Sequence, residues 1–229
     1  MKAGVSEMTP LVFRAACLWG AVPVLALFMH WRGIPFKVPR GERNKILQLG
    51  FLNIVCWNTL IILSLPLLSS GRAAILGYTM PVFAAIAGAL IYKTPMQGKH
   101  FIGILAALSG SVLLLWHEMA TLAGQPAGVL LALSAALCWG IGTQLLRHAR
   151  MTAHIVTFTF WSILLGASAI LILALLFELQ SFQWPARVSL LAVAYNSLLV
   201  LSLAQVAWFS LARGLPPQAS TLGVMMIPV

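Results

Sequence analysis

Aspartate is absent from this 229-residue chain, and its only acids are Glu7, Glu42, Glu118 and Glu178. Each glutamate falls in a loop or at the end of an apolar run. A catalytic centre built on two facing carboxylates therefore has no residues to use. Cysteine is scarce as well. Cys17, Cys56 and Cys138 lie inside apolar runs with no CxxC partner, so they read as small packing residues. The five histidines (His30, His100, His117, His148 and His154) form no HxxxH or HExxH pair. There is no Walker loop, no glycine-rich nucleotide fingerprint, and Gly166-Ala167-Ser168 is not a nucleophile elbow. The sequence thus predicts no metal, no cofactor, no catalytic residues and no enzyme activity.

Charge of either sign is thin. Charged residues make up 8% of the chain and hydrophobic residues 61%. A soluble domain carries about a quarter charged residues, so lipid is expected to cover much of this exterior. In a bilayer the backbone must satisfy its own hydrogen bonds, which leaves helices or a closed barrel. Barrel strands alternate over roughly 10 residues, and the apolar runs here are long and unbroken. The net charge of +10 does not point to nucleic acid, because the basic residues sit in short gaps between apolar runs rather than on a basic domain.

Crossing about 30 Å of hydrocarbon takes roughly 20 helical residues. Seven runs are long enough: 10–31, 43–67, 71–92, 99–117, 126–148, 152–178 and 186–212, with an eighth starting near 216. Thr9-Pro10 reads as an N-cap followed by proline at the first helical position. Gly33 and Pro35 close the first helix, Ser69-Ser70-Gly71 turns into the third, and Pro95 and Gly98 end it. Alternate connections carry Arg32, Lys37, Arg40, Arg43 and Lys45, then Lys93 and Lys99, then Arg147 and Arg150, then Arg213. The intervening connections hold Arg72 and Arg187, so the bias is ten basic residues against two. That asymmetry predicts a basic cytoplasmic side. Trp31, Trp116 and Trp184 read as interfacial belt residues.

Small residues recur at helical spacing: Ala84, Ala85, Gly88 and Ala89; Gly103, Ala107 and Gly110; Ala132, Ala136 and Gly140. Such faces let helices approach closely in lipid. An internal repeat is also visible. A constant offset of 147 residues aligns 57–82 with 204–229, pairing Asn58 with Gln205 and Pro81-Val82 with Pro228-Val229. The paired spans run in opposite directions, which is the pattern of an inverted-repeat transporter with its site near the midplane.

The stretch GRAAILGYTMPVFAAIAGALIYKTPMQGKHFIGILAALSGSVLLL at 71–115 resembles the fourth and fifth helices of the drug/metabolite transporter (DMT) superfamily, specifically its EamA-type permeases. GVLLALSAALCWGIGTQLLR at 128–147 is similar to the helix opening the family's second repeat, and WFSLARGLPPQASTLGVMMIPV at 208–229 to its eighth helix and the start of its ninth. The resemblance implies an all-α inverted-repeat bundle of ten helices with both termini cytoplasmic. On that plan the chain begins just before the second helix and ends inside the ninth. Residues 1–117 would be a first repeat lacking its first helix, and 118–229 a second repeat incomplete at the C-terminus. Where many relatives carry a Gly-Glu pair at the end of the fourth helix, this sequence has Lys93-Thr94.

Candidate substrate-binding residues are the polar and aromatic ones inside the runs: Asn58, Gln205, Trp57, Tyr78, Trp139, Gln144, Asn196, Trp161 and Arg14, with Asn53 and Trp208 also in spans. Amides in a membrane either bond between helices, for about 0.6–2 kcal/mol each, or line a cavity. Trp57 points about 100° away from Asn58 on an ideal helix. An arginine in a span is costly, so Arg14 either snorkels to the interface or faces a cavity and an anionic group. The only titratable groups expected within the spans at depth are Arg14, near the outer end of its helix, and His154, near the inner end of its own. A cavity of amides and aromatics without an acid suits a neutral or zwitterionic metabolite. The reading is a multi-pass protein of the bacterial inner (plasma) membrane that transports small metabolites such as amino acids, nucleobases or drugs. It would act as an exporter, alternating access between two inverted repeats. The other reading is a truncated membrane protein that inserts without transporting, or an interaction partner.

Overall fold

The computed structural model describes residues 8–93, 125–178 and 187–214, together with isolated positions between 98 and 113. Among these residues the regular structure is entirely helical. Six helices are long and apolar enough to cross a bilayer: α1 (Pro10–Trp31), α2 (Arg40–Ser64), α3 (Ser70–Tyr92), α4 (Pro126–His148), α5 (Ile155–Phe177) and α6 (Arg187–Gly214), with mean hydropathies of 1.8 to 2.5. They match six of the seven expected runs. Most of the run at 99–117, with Gly103, Ala107 and Trp116, and also Trp184 and the start near 216, lie outside the described residues.

The helix ends show which local signals act. Pro10 opens α1, where a missing N–H costs no helical bond. The expected Thr9 cap is not made: Thr9 is extended, but its hydroxyl has no hydrogen-bond partner. Glu178, just past α5, takes that place. Its Oε2 accepts from the Leu11 N–H at 2.9 Å and the Val12 N–H at 3.1 Å. A carboxylate there also complements the positive end of the helix dipole. α1 ends at Gly33, whose φ of +64° allows the Ile34 N–H to reach the Met29 carbonyl at 2.9 Å. α2 starts with a 3₁₀ turn at Arg40–Glu42, three residues before the expected 43. It stops at Ser64, short of the expected 67, because Pro66 has no N–H to return to Ile62.

α3 is broken at Tyr78-Thr79. Pro81 cannot donate to the Gly77 carbonyl, and the Thr79 hydroxyl donates to the Leu76 carbonyl at 2.6 Å instead. The helix closes on Lys93 in the left-handed region, at φ 50°. This conformation costs a side-chain-bearing residue about 1 kcal/mol relative to glycine. Lys93→Gly is therefore expected to raise stability by about that amount, measured as a higher melting temperature in detergent; an unchanged or lower one would show that the lysine side chain stabilises this turn.

Two helices contain wide turns. α2 passes through a π-helical segment at Phe51–Cys56, and α6 through one at Asn196–Ala204. Shifted by the 147 residues of the sequence repeat, the first falls on 198–203, inside the second. Each segment seats on a glycine of another helix. A Cβ on Gly166 of α5 would overlap Ile54 Cγ2, and one on Gly20 of α1 would overlap Ser197 Oγ. Ser197 also donates to the Cys17 carbonyl at 2.8 Å. α1 packs along α5, while α4 packs on α2 and α3. Phe13, Leu18, Ile54, Phe158, Ile163 and Phe209 are fully buried between them. Leu27, Trp31, Leu90, Leu176 and Phe177 face outward, as lipid-facing residues do.

Hydrogen bonds locate the basic connections at one end of the bundle. Lys45 Nζ donates to the Arg150 carbonyl at 3.3 Å, and Arg213 donates to the carbonyls of Ala153 and Met151. Glu42 accepts from the Thr152 N–H at 2.6 Å, the Thr152 hydroxyl at 2.8 Å and the Ala153 N–H at 3.0 Å. Tyr92, beside Lys93, stacks on His148 with ring centroids 3.6 Å apart. His154 belongs to this end too. It is exposed, outside the hydrophobic span, and its Nδ1 accepts from the Val156 N–H as a cap of α5. The expectation of His154 as a titratable group inside a span is therefore corrected.

Candidate functional site

The π-helical segment in α2 ends directly before Trp57 and Asn58, and the one in α6 directly before Gln205. A wide turn rotates the residues after it relative to a regular helix, and such turns are frequent at functional sites. Asn58 is buried and committed in both directions. Its Oδ1 accepts from Arg14 Nε at 2.6 Å, and its Nδ2 donates to the Ile54 carbonyl at 2.7 Å. Arg14 does not snorkel: it is 3% exposed, held between α1 and α2.

Next to Asn58 the aromatic residues converge. Trp57 lies 5.1 Å from Trp139 of α4, ring centroid to ring centroid. Trp139 in turn lies 6.3 Å from both Trp208 and Phe209 of α6. Phe209 contacts Phe158 of α5 at 5.0 Å. Four helices from both halves of the chain thus contribute to one aromatic group. Gln205 sits three residues before Trp208, on the same face of α6. Tyr78 stands at the break in α3, beside Gly77, where an added Cβ would come within 3.5 Å of the Trp57 ring.

Several buried polar atoms in this region have no hydrogen-bond partner: Arg14 Nη1, Gln205 Nε2, the indole N–H groups of Trp139 and Trp208, Thr143 Oγ1 and Asn53 Oδ1. Buried polar groups are normally paired, so a concentration of unpaired ones marks a place suited to a ligand. Asn53 packs directly on α4, with its amide where a Cβ on Gly142 would be.

The remaining candidates lie elsewhere. Gln144 accepts from Arg147 Nη1 at 3.5 Å, toward the basic end. Asn196 donates to the Ala192 carbonyl in its own helix at 2.8 Å, at the start of the π-helical segment. Trp161 is 39% exposed, and its indole N–H donates to the Phe36 carbonyl, tying α5 to the loop after α1 rather than joining the other tryptophans. Phe209 and Thr143 were not singled out from sequence. Phe209 carries no polar signal, and Thr143 is one small residue in an apolar run.

A concavity of about 370 Å³ opens at the basic end, lined by Lys45, Gln48, Leu49, Tyr92, His148 and Arg150 among others. This volume is in the range that holds a small organic molecule, about 300–1,000 Å³.

The comparisons with known proteins bear on the whole bundle. An uncharacterized transporter, YoaV of Bacillus subtilis (strain 168), is 26% identical over 238 aligned positions, which cover 100% of this chain and 79% of that one. A solved crystal structure, 20% identical, superposes with a TM-score of 0.77 over 97% of this chain and 78% of its own, and so shares the fold. The model of the EamA-like transporter family matches residues 1–116 and 126–229. With its apolar helices and a family match over nearly its whole length, the chain is a multi-pass membrane protein that belongs to the EamA-like transporter family.

Proposed function

We propose that this chain is a secondary transporter that exports small metabolites, such as amino acids, nucleobases or drugs, across the bacterial inner (plasma) membrane. Its two inverted repeats, 1–117 and 118–229, alternate access to the aromatic and amide group between them. The basic end faces the cytoplasm, as the positive-inside rule requires, and the concavity at that end serves as the entrance. The observation that carries this reading is the pair of π-helical segments. They directly precede the two copies of the sequence repeat, whose offset carries the first onto the second; each is seated on a glycine of another helix, and each leads into an amide, Asn58 or Gln205. A helix bends where its ladder is widened, so these two places are suited to act as the hinges on which access changes.

The test is movement of a labelled amino-acid and nucleobase panel in proteoliposomes, comparing the chain with Asn58→Ala and Gln205→Ala. Each amide contributes only about 0.6–2 kcal/mol to helix association, so both variants are expected to insert normally. Transport of an accepted substrate should fall at least about tenfold, the loss of about 1.4 kcal/mol of binding. No movement by the well-inserted parent chain would overturn the reading.

A further inference from the structure

We infer that the ligand of the central site is an organic anion, a carboxylate on a planar apolar body, with Arg14 as its counter-charge. This deepens the proposed function and rests on it. A guanidinium away from water is costly and is normally paired with a carboxylate or placed where charge can reach it. Arg14 is 3% exposed, and the group facing its Nε is a neutral amide, that of Asn58. Its Nη1 has no acceptor. Among the described residues the acids are Glu42 and Glu178. Glu42 binds Thr152 and Ala153 at the basic end, and Glu178 Oε2 caps the start of α1. Neither makes an ion pair with Arg14, so among the described residues the charge is buried with a neutral amide and no acid as partner.

The surroundings point to the same chemistry. Arg14 Nη1, Gln205 Nε2 and the indole N–H groups of Trp139 and Trp208 are buried donors without acceptors, whereas Asn53 Oδ1 is the corresponding carbonyl acceptor. Turning the Asn53 or Gln205 amide exchanges one donor for one acceptor. It leaves Arg14, Trp139 and Trp208, which can only donate. A site with surplus donors selects a ligand with surplus acceptors, and an ionised carboxylate accepts at about four lone-pair positions and donates at none. Asn58, bonded to Arg14, and Trp57, in contact with Trp139, are consecutive residues. The charge and the aromatic rings therefore meet adjoining faces of α2 at the same level, about 100° apart on an ideal helix, and a carboxylate joined to a flat ring system can reach both. This replaces the sequence-based expectation of a neutral or zwitterionic substrate; of the two readings the sequence left for Arg14, snorkelling or facing an anionic group, its burial favours the second.

The experiment uses the full chain in proteoliposomes with three probes: indole-3-acetate, its neutral analogue indole-3-acetamide, and inorganic phosphate. Phenylglyoxal modification of Arg14 is followed by mass spectrometry, and movement of the two indoles is measured in the same vesicles. Indole-3-acetate should slow modification of Arg14 at least about tenfold while the amide does not, a carboxylate-to-amide preference of about 1.4 kcal/mol. Arg14→Gln should abolish the acetate's advantage over the amide in movement, and Arg14→Lys should restore part of that preference. Equal effects of acetate and amide, protection by phosphate alone, or an Arg14 that is never modified would overturn the inference. Protection by the acetate without movement of either indole would keep the anion site and overturn the transport reading. Movement of both indoles alike without protection would do the reverse.

Discussion

Gly140→Val is expected to lower the stability of the folded bundle by about 3 kcal/mol, at the upper end of what overpacking usually costs. A Cβ on Gly140 would lie 2.8 Å from the Ala84 nitrogen, 2.9 Å from Phe83 Cβ and 3.0 Å from the Met80 carbonyl oxygen. Two of these atoms are backbone and cannot rotate aside, so α3 and α4 would have to separate. Ala136 and Ala132, one and two turns earlier on α4, are both fully buried, so the separation would affect the whole seam. The comparison is Gly71→Val, at a position with nothing within 4 Å. Thermal unfolding in detergent should show a much lower midpoint for Gly140→Val than for Gly71→Val. Equal midpoints would mean that the two helices do not pack through this glycine.

Glu42→Ala is expected to cost about 3 kcal/mol. Its carboxylate receives three hydrogen bonds from Thr152 and Ala153, and hydrogen bonds to a charged group contribute about 1.5–3 kcal/mol each. Water at the membrane surface would satisfy part of what is lost. Hydrogen–deuterium exchange of the loop before α5 should rise markedly in the alanine variant, and Glu42→Gln should lie between the two because it keeps one acceptor oxygen. Unchanged exchange in Glu42→Ala would show that this contact does not hold the loop. Glu178 does the corresponding work at the other end of the bundle. Glu178, just past α5, caps the start of α1, and Glu42, in the first turn of α2, holds the loop that leads into α5. Two of the chain's four acids are used in this way, which is why they are not available to Arg14.

The positions of the six described helices were legible in the sequence to within three residues. Spanning a bilayer is a local property: about 20 apolar residues do it whatever the neighbours are. The grouping of basic residues into alternate connections was legible for the same reason. So were the polar candidates, since an amide or arginine stands out in an apolar run. The direction each one faces was not. In lipid the protein interior and the exterior are equally apolar, so α1 and α5 carry no polar stripe to show which side is inward. Trp161 and Trp139 look alike in sequence, yet one bonds to a loop carbonyl and the other lies among three aromatic rings. Arg14 is four residues into its helix, close enough to snorkel, and only packing against α2 turns it inward.

Sequence alone thus determined that this is a multi-span helical membrane protein, where its helices run, and which few residues carry polar chemistry. The tertiary structure decided the rest: that Glu178 rather than Thr9 caps α1, that α2 and α6 widen into π-helical turns over Gly166 and Gly20, and that Arg14 meets an amide instead of an acid. The physical reason is range. Insertion depends on the hydropathy of one segment at a time. Caps, close approaches and buried charges depend on groups 44 to 180 residues away along the chain, which share no local pattern with the residues they meet.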